Sequence, residues 1–287
     1  MIYLFYPSKK TLTISLTETS CSLMCNHCFS TYLKGMKTKE EALKILTENP
    51  GKFKSVLISG GSSREGKVPI AKNIDFIKEL HEMGLKLNIH TGLIDEQEIR
   101  LIKPYFERVS FDFVYNDRVI KDVYHLEEKG RDDFLKTYLL LRRILGGKIE
   151  NSNGYPSSRV IPHYTIGLEC GRVGSEDYEA MDEFAVINPT LLVINIFVPT
   201  KGTPFENCPT PDIEEVRKVF NKAKRKLTKT TLFLGCMRPF GQYRDTVDIA
   251  AYEEGFRGFV LPSNALLERI RQDKIESTEI EECCALI

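Results

Sequence analysis

The 287-residue sequence has no excess of either charge, because 40 Lys and Arg residues balance 40 Asp and Glu residues. A protein that neutralises nucleic-acid phosphates needs a basic excess, and a run of like charge would mark an interaction tail. The sequence has neither feature. We therefore expect no nucleic-acid partner.

Long apolar runs are also missing. Residues 1–10 read MIYLFYPSKK, which is too short for the apolar core of a signal peptide, and no later run approaches about 18 apolar residues. No linker rich in Pro, Gly or Ser divides the chain. We expect a cytoplasmic protein with no membrane partner, in which residues 1–287 form a single domain.

Eight short β-branched or aromatic runs alternate with eight amphipathic segments. Strict alternation predicts parallel strands with right-handed crossovers, and eight repeats favour an α/β fold of the closed (β/α)8 TIM-type barrel. The polar stretch 146–158 is interpreted as a surface insertion. The predicted strands are 11–17, 55–59, 86–90, 108–114, 160–168, 191–198, 230–235 and 256–261.

The cysteines cluster where such a barrel carries its chemistry, in the loops that follow the strands. In a large chain with no export signal, cysteine clusters more often bind metal or perform redox chemistry than form disulfides. The tail 273–287, with its Cys pair, is expected to fold over the barrel mouth. The eight cysteines are Cys21, Cys25, Cys28, Cys170, Cys208, Cys236, Cys283 and Cys284.

The segment CSLMCNHC places Cys21, Cys25 and Cys28 in a C-x3-C-x2-C pattern directly after the first predicted strand. Three thiolates can hold three irons of a 4Fe-4S cluster and leave the fourth iron open for a small ligand. Structural zinc normally takes four protein ligands, so a zinc loop is the weaker alternative.

This pattern at this place resembles the signature of the radical S-adenosylmethionine (SAM) enzymes. The resemblance implies that SAM binds the open iron and is split into methionine and a 5′-deoxyadenosyl radical. It also implies that His27 packs near the adenine. Ser59, Gly60 and Gly61 resemble the family's glycine-rich turn, which lets the methionine amino group approach backbone carbonyls.

Further segments resemble the SAM-binding strands of the same family. TIGLECG (165–171) resembles a motif along the adenine, and INIFVPTKGTPF (194–205) resembles a segment that contacts it. The end of the fourth predicted strand is where ribose contacts fall. The cofactor contacts implied by these likenesses are Asp112, Asn116, Glu169, Asn195 and Phe197.

The stretch KGTPF (201–205) is most similar to biotin synthase and its relatives. Biotin synthase itself holds a sacrificial cluster with cysteines in three strands and an arginine in a fourth. The corresponding stretches 55–61, 86–92, 160–167 and 230–235 contain no Cys and no Arg. Three or four of the remaining thiols could instead hold a second 4Fe-4S cluster: Cys170, Cys208, Cys236, Cys283 and Cys284. Alternatively, they are structural thiols.

The segment GCMRPFGQYR (235–244) resembles the two-component lipoyl synthases of archaea and some bacteria. That likeness implies sulfur insertion into an octanoyl chain on a lysine of a lipoyl-domain or glycine-cleavage H-type protein. It also implies a second synthase component and a reducing electron carrier such as ferredoxin.

Two other functions stay open. One is a one-cluster radical SAM enzyme for carbon-skeleton rearrangement or metallocofactor assembly, and the other is a non-catalytic iron-sulfur or zinc scaffold. Arg238 and Arg244 either contact the SAM carboxylate or cap their loop, and His90 and His163 are interpreted as structural.

Overall fold

The computed structural model describes residues 1–146, 148–150 and 156–287, and its centre is one sheet of ten parallel strands that curls into a half-barrel. The strand order is β12-β1-β11-β10-β9-β8-β5-β4-β3-β2, and β6 and β7 form a separate antiparallel pair. The strands are β1 Ile2–Phe5, β2 Thr11–Ser15, β3 Ser55–Ser59, β4 Lys86–His90, β5 Arg108–Asp112, β6 Lys148–Glu150, β7 Pro156–Ser158, β8 Val160–Ile166, β9 Leu191–Ile196, β10 Thr231–Leu234, β11 Gly258–Val260 and β12 Ser277–Ile280.

All eight predicted strands and all eight amphipathic helices are confirmed. The predicted N-cap Asp212 accepts a hydrogen bond from the Glu215 N–H at 3.0 Å, which satisfies one free donor at the start of its helix. In the predicted surface insertion, β6 and β7 are described, whereas residues 147 and 151–155 lie outside the described residues. The helices are α1 Lys39–Glu48, α2 Ile74–Glu82, α3 Glu96–Ile102, α4 Arg131–Leu145, α5 Ser175–Ile187, α6 Ile213–Lys226, α7 Gln242–Glu253 and α8 Asn264–Gln272.

The strands separate apolar from polar side chains by alternation, since successive residues point to opposite faces of a sheet. In β4, Leu87 and Ile89 are fully buried in the main core together with Ile77 of α2. Between them, Asn88 and His90 face the interior of the half-barrel, which we call the lumen. The helix-facing side of the sheet therefore supplies most of the apolar burial, at about 1.5–3 kcal/mol for each large side chain.

Two strands of the ten-stranded sheet, β1 and β12, were not predicted, and they change how the barrel ends. β1 pairs with β11, and β12 pairs with β1. Strand pairing does not close the sheet, because β12 and β2 are its two edges. The predicted α/β fold of the TIM type is confirmed, and the sheet has ten strands with open edges where eight strands and a closed barrel were expected. Both added strands are only four residues long, which is too short for a periodic pattern to reveal.

Residues 281–287 lie at the end of the lumen where the strands begin. The sequence predicted that the tail 273–287 covers the mouth, which is the other end. The Thr11 side chain, at the start of β2, accepts a hydrogen bond from the Cys283 N–H at 2.9 Å. Lys86, which begins β4, pairs with Glu282 at 3.0 Å. Residues 281–287 therefore form a floor beneath the lumen instead of a cover over its mouth. The reason is that β12 ends beside the start of β2, where the Lys10 N–H donates to the Glu281 carbonyl.

A fully buried ion pair joins the loop after β10 to α7. The Arg238 guanidinium donates to both carboxylate oxygens of Asp248, at 2.6 and 3.0 Å, and neither side chain has any exposed surface. Arg238 also donates to the Val260 carbonyl at 2.8 Å. Arg244 donates to the Arg238 carbonyl at 2.9 Å and lies 4.2 Å over the Phe240 ring. Both arginines therefore brace this loop.

Across the described residues, no helix combines the length and the apolar character needed to cross a bilayer.

Removing one partner of the buried pair should be costly, because the other charge stays buried without compensation. We expect Arg238→Met to lower the free energy of unfolding by about 3–5 kcal/mol in urea titrations followed by circular dichroism. The matched control is Arg217→Met, which breaks a half-exposed pair with Glu253 and should cost at most about 1 kcal/mol. Equal losses in the two variants would contradict this view of Arg238.

Candidate metal and cofactor site

The three-cysteine loop follows β2 at the mouth of the lumen. Cys25 is buried, whereas Cys21 and Cys28 are half-buried. The loop turns tightly, with a left-handed φ of 45° at Met24 and a hydrogen bond from the Cys28 N–H to the Cys25 carbonyl at 3.1 Å. All three thiols line one cavity. The chain thus brings together three thiols that could each bind a different iron of one cluster.

Residues 122–125, in the segment that follows β5, hold the cysteine loop in place. The Asn26 N–H donates to the Val123 carbonyl at 2.9 Å, and the Asn26 side-chain amide donates to the Asp122 carbonyl at the same distance. His125 donates from Nδ1 to the Leu23 carbonyl at 2.7 Å. Sequence analysis missed His125, because nothing in a single sequence indicates a contact across about one hundred residues.

The predicted glycine-rich turn packs directly against the cysteine loop. A Cβ on Gly61 would lie 1.9 Å from the Ser20 carbonyl oxygen and 2.5 Å from the Cα of Cys21. The Gly61 N–H donates to Thr17 Oγ1 at 2.7 Å, and the Ser62 N–H approaches the Cys21 sulfur at 3.4 Å. Glycine is therefore required here for close approach of two backbones.

The cavity has a volume of about 730 Å³ and extends from the cysteine loop to the floor. A drug-sized ligand commonly occupies a cavity of 300–1,000 Å³, so SAM and part of a substrate can share this one. Most of the predicted cofactor contacts line it, namely His27, Ser59, Gly60, Gly61, Asp112, Asn195 and Phe197.

Asn116 and Glu169 are positioned elsewhere. Both line a separate small pocket beside α5. Asn116 accepts hydrogen bonds from the N–H groups of Arg118 and Val119, at 2.9 and 3.1 Å, and so shapes the turn after β5. Glu169 forms ion pairs with Arg118 and Arg172. Both residues therefore lie outside the main cavity, and their contacts with SAM stay a prediction.

The lining residues fit a cluster with SAM. Asn195 Oδ1 and His27 Nδ1 are buried with no hydrogen-bond partner among the described residues, although both side chains line the cavity. Burial lowers the pKa of His27 to about 4, so this imidazole is neutral near pH 7. A bound ligand with donors and acceptors would satisfy both atoms. When bound, the cluster and SAM would supply the radical chemistry.

The arrangement does not favour a zinc loop. In the part of the chain that the structure describes, no three His, Cys, Asp or Glu side chains are placed to hold a single metal ion. Zinc ligands converge on one ion, whereas the thiolates of a 4Fe-4S cluster bind different irons.

The wall formed by β2 to β5 is polar. Paired side chains of neighbouring strands form rungs across it: Thr11 with Ser55 at 2.8 Å, Asn88 with Ser110 at 2.9 Å, and His90 with Asp112 at 3.1 Å. The opposite wall and floor contain an apolar cluster that includes Tyr3, Phe5, Val193, Phe233 and Val260. The lumen is thus amphipathic.

Electrostatics distinguish the two lumen histidines. Burial acts to lower the pKa of His90, but the Asp112 carboxylate outweighs it and raises that pKa. Burial and the neighbouring His90 ring, 5.6 Å away, lower the pKa of His163 to about 4. Asp112 keeps 57% of its side chain accessible, because that surface faces the cavity. A histidine whose charged form is favoured by its carboxylate partner therefore lies beside a histidine whose neutral form is favoured.

The five other cysteines separate into two groups. Cys170 and Cys208 form a disulfide between the loops after β8 and β9, and neither lines the cavity. Cys236, Cys283 and Cys284 do line it. The Asn88 amide donates to the Cys283 sulfur at 3.5 Å. The structure thus leaves three thiols as ligand candidates for a second cluster, which stays a prediction.

Substitution at Gly61 should disturb the first cluster directly. We expect Gly61→Ala to displace Cys21 and to lower the iron bound after anaerobic reconstitution to less than half of the wild-type content. Gly35→Ala is the control, because a Cβ at Gly35 meets nothing within 4 Å. Wild-type iron content in Gly61→Ala would show that this contact does not position Cys21.

Comparison with known proteins gives one sequence relative and several similar folds. No protein-family model matches the chain. The sequence is 26% identical over 242 residues to 7,8-didemethyl-8-hydroxy-5-deazariboflavin synthase of Archaeoglobus fulgidus, and the match covers 76% of this chain and 68% of the relative.

Two solved structures share the fold at low identity. The hydrogenase maturase HydG of Carboxydothermus hydrogenoformans superposes with a TM-score of 0.63 at 14% identity, covering 96% of this chain and 67% of that one. The radical SAM enzyme coproporphyrinogen III oxidase (HemN) of Escherichia coli gives a TM-score of 0.50 at 12% identity, covering 79% and 53%. The chain is therefore similar in sequence to one synthase, and it shares its fold with a hydrogenase maturase and with a radical SAM enzyme.

Proposed function

We propose that this chain is one component of a two-protein lipoyl synthase, which inserts sulfur into an unactivated C–H bond of an octanoyl chain. The observation that carries the proposal is that Cys236, Cys283 and Cys284 line the same cavity as the three-cysteine loop. Sulfur insertion needs a sulfur source within reach of the substrate radical. Thiols that could hold a second 4Fe-4S cluster in this cavity would meet that need.

The floor is suited to hold a sulfur source because buried contacts anchor it to the sheet. Cys284 and Ala285 are buried against Phe5 and Val193. Arg108, itself buried, donates to the main-chain oxygen of Ile287 at 2.9 Å. A sulfur source must be held close to the reacting carbon, since a small misplacement costs much of the rate. Anchoring at both ends of the segment supplies that precision.

The apolar wall is also consistent with an aliphatic substrate. The hydrocarbon part of an octanoyl chain offers no hydrogen bonds, so Val193 and Val260, which line the cavity, can cover it and exclude water from a radical. In this proposal the substrate is borne on a lysine of a lipoyl-domain or glycine-cleavage H-type protein. A second synthase component would insert the other sulfur, and a carrier such as ferredoxin would supply electrons.

A second candidate function follows from the polar wall. His90, Asp112 and His163 could hydrogen-bond to a polar ring, which an octanoyl chain lacks. The sequence relative is named for forming a deazariboflavin. Chemistry of that kind would need one cluster only, as would the carbon-skeleton and metallocofactor alternatives.

Iron and acid-labile sulfide in anaerobically reconstituted protein test the second cluster. We expect about eight irons in the wild type, and about four both in a Cys21→Ala/Cys25→Ala/Cys28→Ala variant and in a Cys236→Ser/Cys283→Ser/Cys284→Ser variant. Cys170→Ser/Cys208→Ser is the control and should keep about eight. Four irons in the wild type would remove the proposed sulfur source and favour a one-cluster enzyme.

An octanoyl-lysine peptide tests the reaction itself. With SAM and dithionite, we expect 5′-deoxyadenosine and a peptide that has gained one sulfur by mass spectrometry. The Cys236/Cys283/Cys284 variant should still cleave SAM but insert no sulfur. Absence of SAM cleavage in the wild type would indicate a scaffold, and a deazaflavin chromophore in cells expressing the chain would favour the second candidate.

A further inference from the structure

The outer edge of β2 is where the curled sheet stays open. Among the described residues no strand pairs with this edge, and residues near Lys37 run beside it instead. The Lys37 N–H donates to the Thr13 carbonyl, and the Lys37 carbonyl accepts from the Ser15 N–H, both at 2.9 Å. The edge is therefore covered along a short length only.

The cavity reaches the molecular surface at this edge. Ser8, Gly35 and Leu261 all line it, and all three are exposed. They come from three different places, which are the turn after β1, the loop after the cysteine motif and the end of β11. Together they surround a gap at the open edge of β2, which we call the side opening.

The side opening has an apolar lining. Pro7, Leu33, Met36 and Phe53 line the cavity there and are half-buried. Half-buried apolar side chains around a gap leave a surface that a flexible hydrocarbon chain can cover. A long aliphatic group therefore has a path from solvent into the lumen that does not cross the cysteine loop.

Lysines surround the same opening. Each lining segment carries lysine beside its apolar residue: Lys34 follows Leu33, Lys37 follows Met36, and Lys52 and Lys54 flank Phe53. Lys10 follows the turn that contains Pro7, and its carbonyl accepts from the Lys54 N–H at 2.9 Å. The backbone thus brings segments that are distant in sequence to one edge.

These charges are largely uncompensated. Lys9 pairs with Glu281 at 3.3 Å, but among the described residues no ion pair involves Lys10, Lys34, Lys37, Lys52 or Lys54. The first 54 residues contain eight Lys and four Glu and neither Arg nor Asp, although the whole chain is neutral. The first 54 residues therefore carry a local basic excess, and Lys10, Lys34, Lys37, Lys52 and Lys54 contribute it at the side opening.

We propose that the side opening is the docking surface for the carrier protein, which presents an acidic surface beside the lysine that bears the acyl chain. This inference rests on the proposed function for the identity of the chain. The basic rim would orient the acidic surface, and the apolar lining would receive the acyl-lysine arm. Exposed charges of this kind act mainly on the association rate, and salt screens them.

The test uses an octanoylated lipoyl domain with an acidic surface as the probe. We expect Lys34→Glu/Lys52→Glu/Lys54→Glu to weaken binding about tenfold or more in titrations at low salt, mainly through slower association. Lys136→Glu/Lys229→Glu/Lys274→Glu is the matched control, because these three lysines are also exposed and lie on other faces. The control should bind within about twofold of the wild type.

Equal binding by the two triple variants would overturn the docking surface, as would wild-type binding that does not weaken between low and high salt. Failure of the proposed function would give a different experimental result from failure of the docking surface. In that case the wild type inserts sulfur into neither the octanoyl-lysine peptide nor the domain. If the peptide is converted while charge reversal leaves domain binding unchanged, the docking surface alone is wrong.

Discussion

The packing of eight helices against the outer face of one parallel sheet is the constraint on which the other features depend. Leu87 and Ile89 in β4 show the pattern, because they are fully buried against the helices. Since that face supplies most of the apolar burial, the inner face is free to carry Asn88 and His90. A polar wall inside the molecule is therefore compatible with a stable fold.

Because all ten strands of the sheet are parallel, their carboxyl ends lie on the same side of the sheet. The cysteine loop after β2 and the glycine turn after β3 meet there, and Gly61 touches the backbone of Cys21. The floor lies at the other end, where strands begin. The cavity consequently has two chemically distinct ends joined by an amphipathic lumen.

Sequence patterns predicted the features that depend on residues close together in the chain. The eight strands, the eight helices and the convergence of Cys21, Cys25 and Cys28 follow from periodicity and spacing. The pairing of His90 with Asp112 could have been suspected, since both are polar residues at the carboxyl ends of consecutive predicted strands. Its geometry depends on the register of β4 against β5, which a single sequence does not reveal.

The features that were missed are long-range ones. The position of residues 281–287 depends on β12 pairing with β1, which joins the two ends of the chain. The disulfide between Cys170 and Cys208 depends on the approach of two loops. The side-chain partners of Asn116 and Glu169 in the turns that contain them were not predicted either, and the contacts of both residues with SAM stay a prediction.

The position of the floor residues in the sequence also determines when the cavity is completed during synthesis. Cys283 is made about 260 residues after Cys21. At synthesis rates of about 5–20 residues per second, the interval is roughly 10 to 50 seconds. The walls of the cavity extend to Leu261, so residues 281–287 are the last part of its lining to be made. The lumen is therefore sealed from that side only when this segment docks.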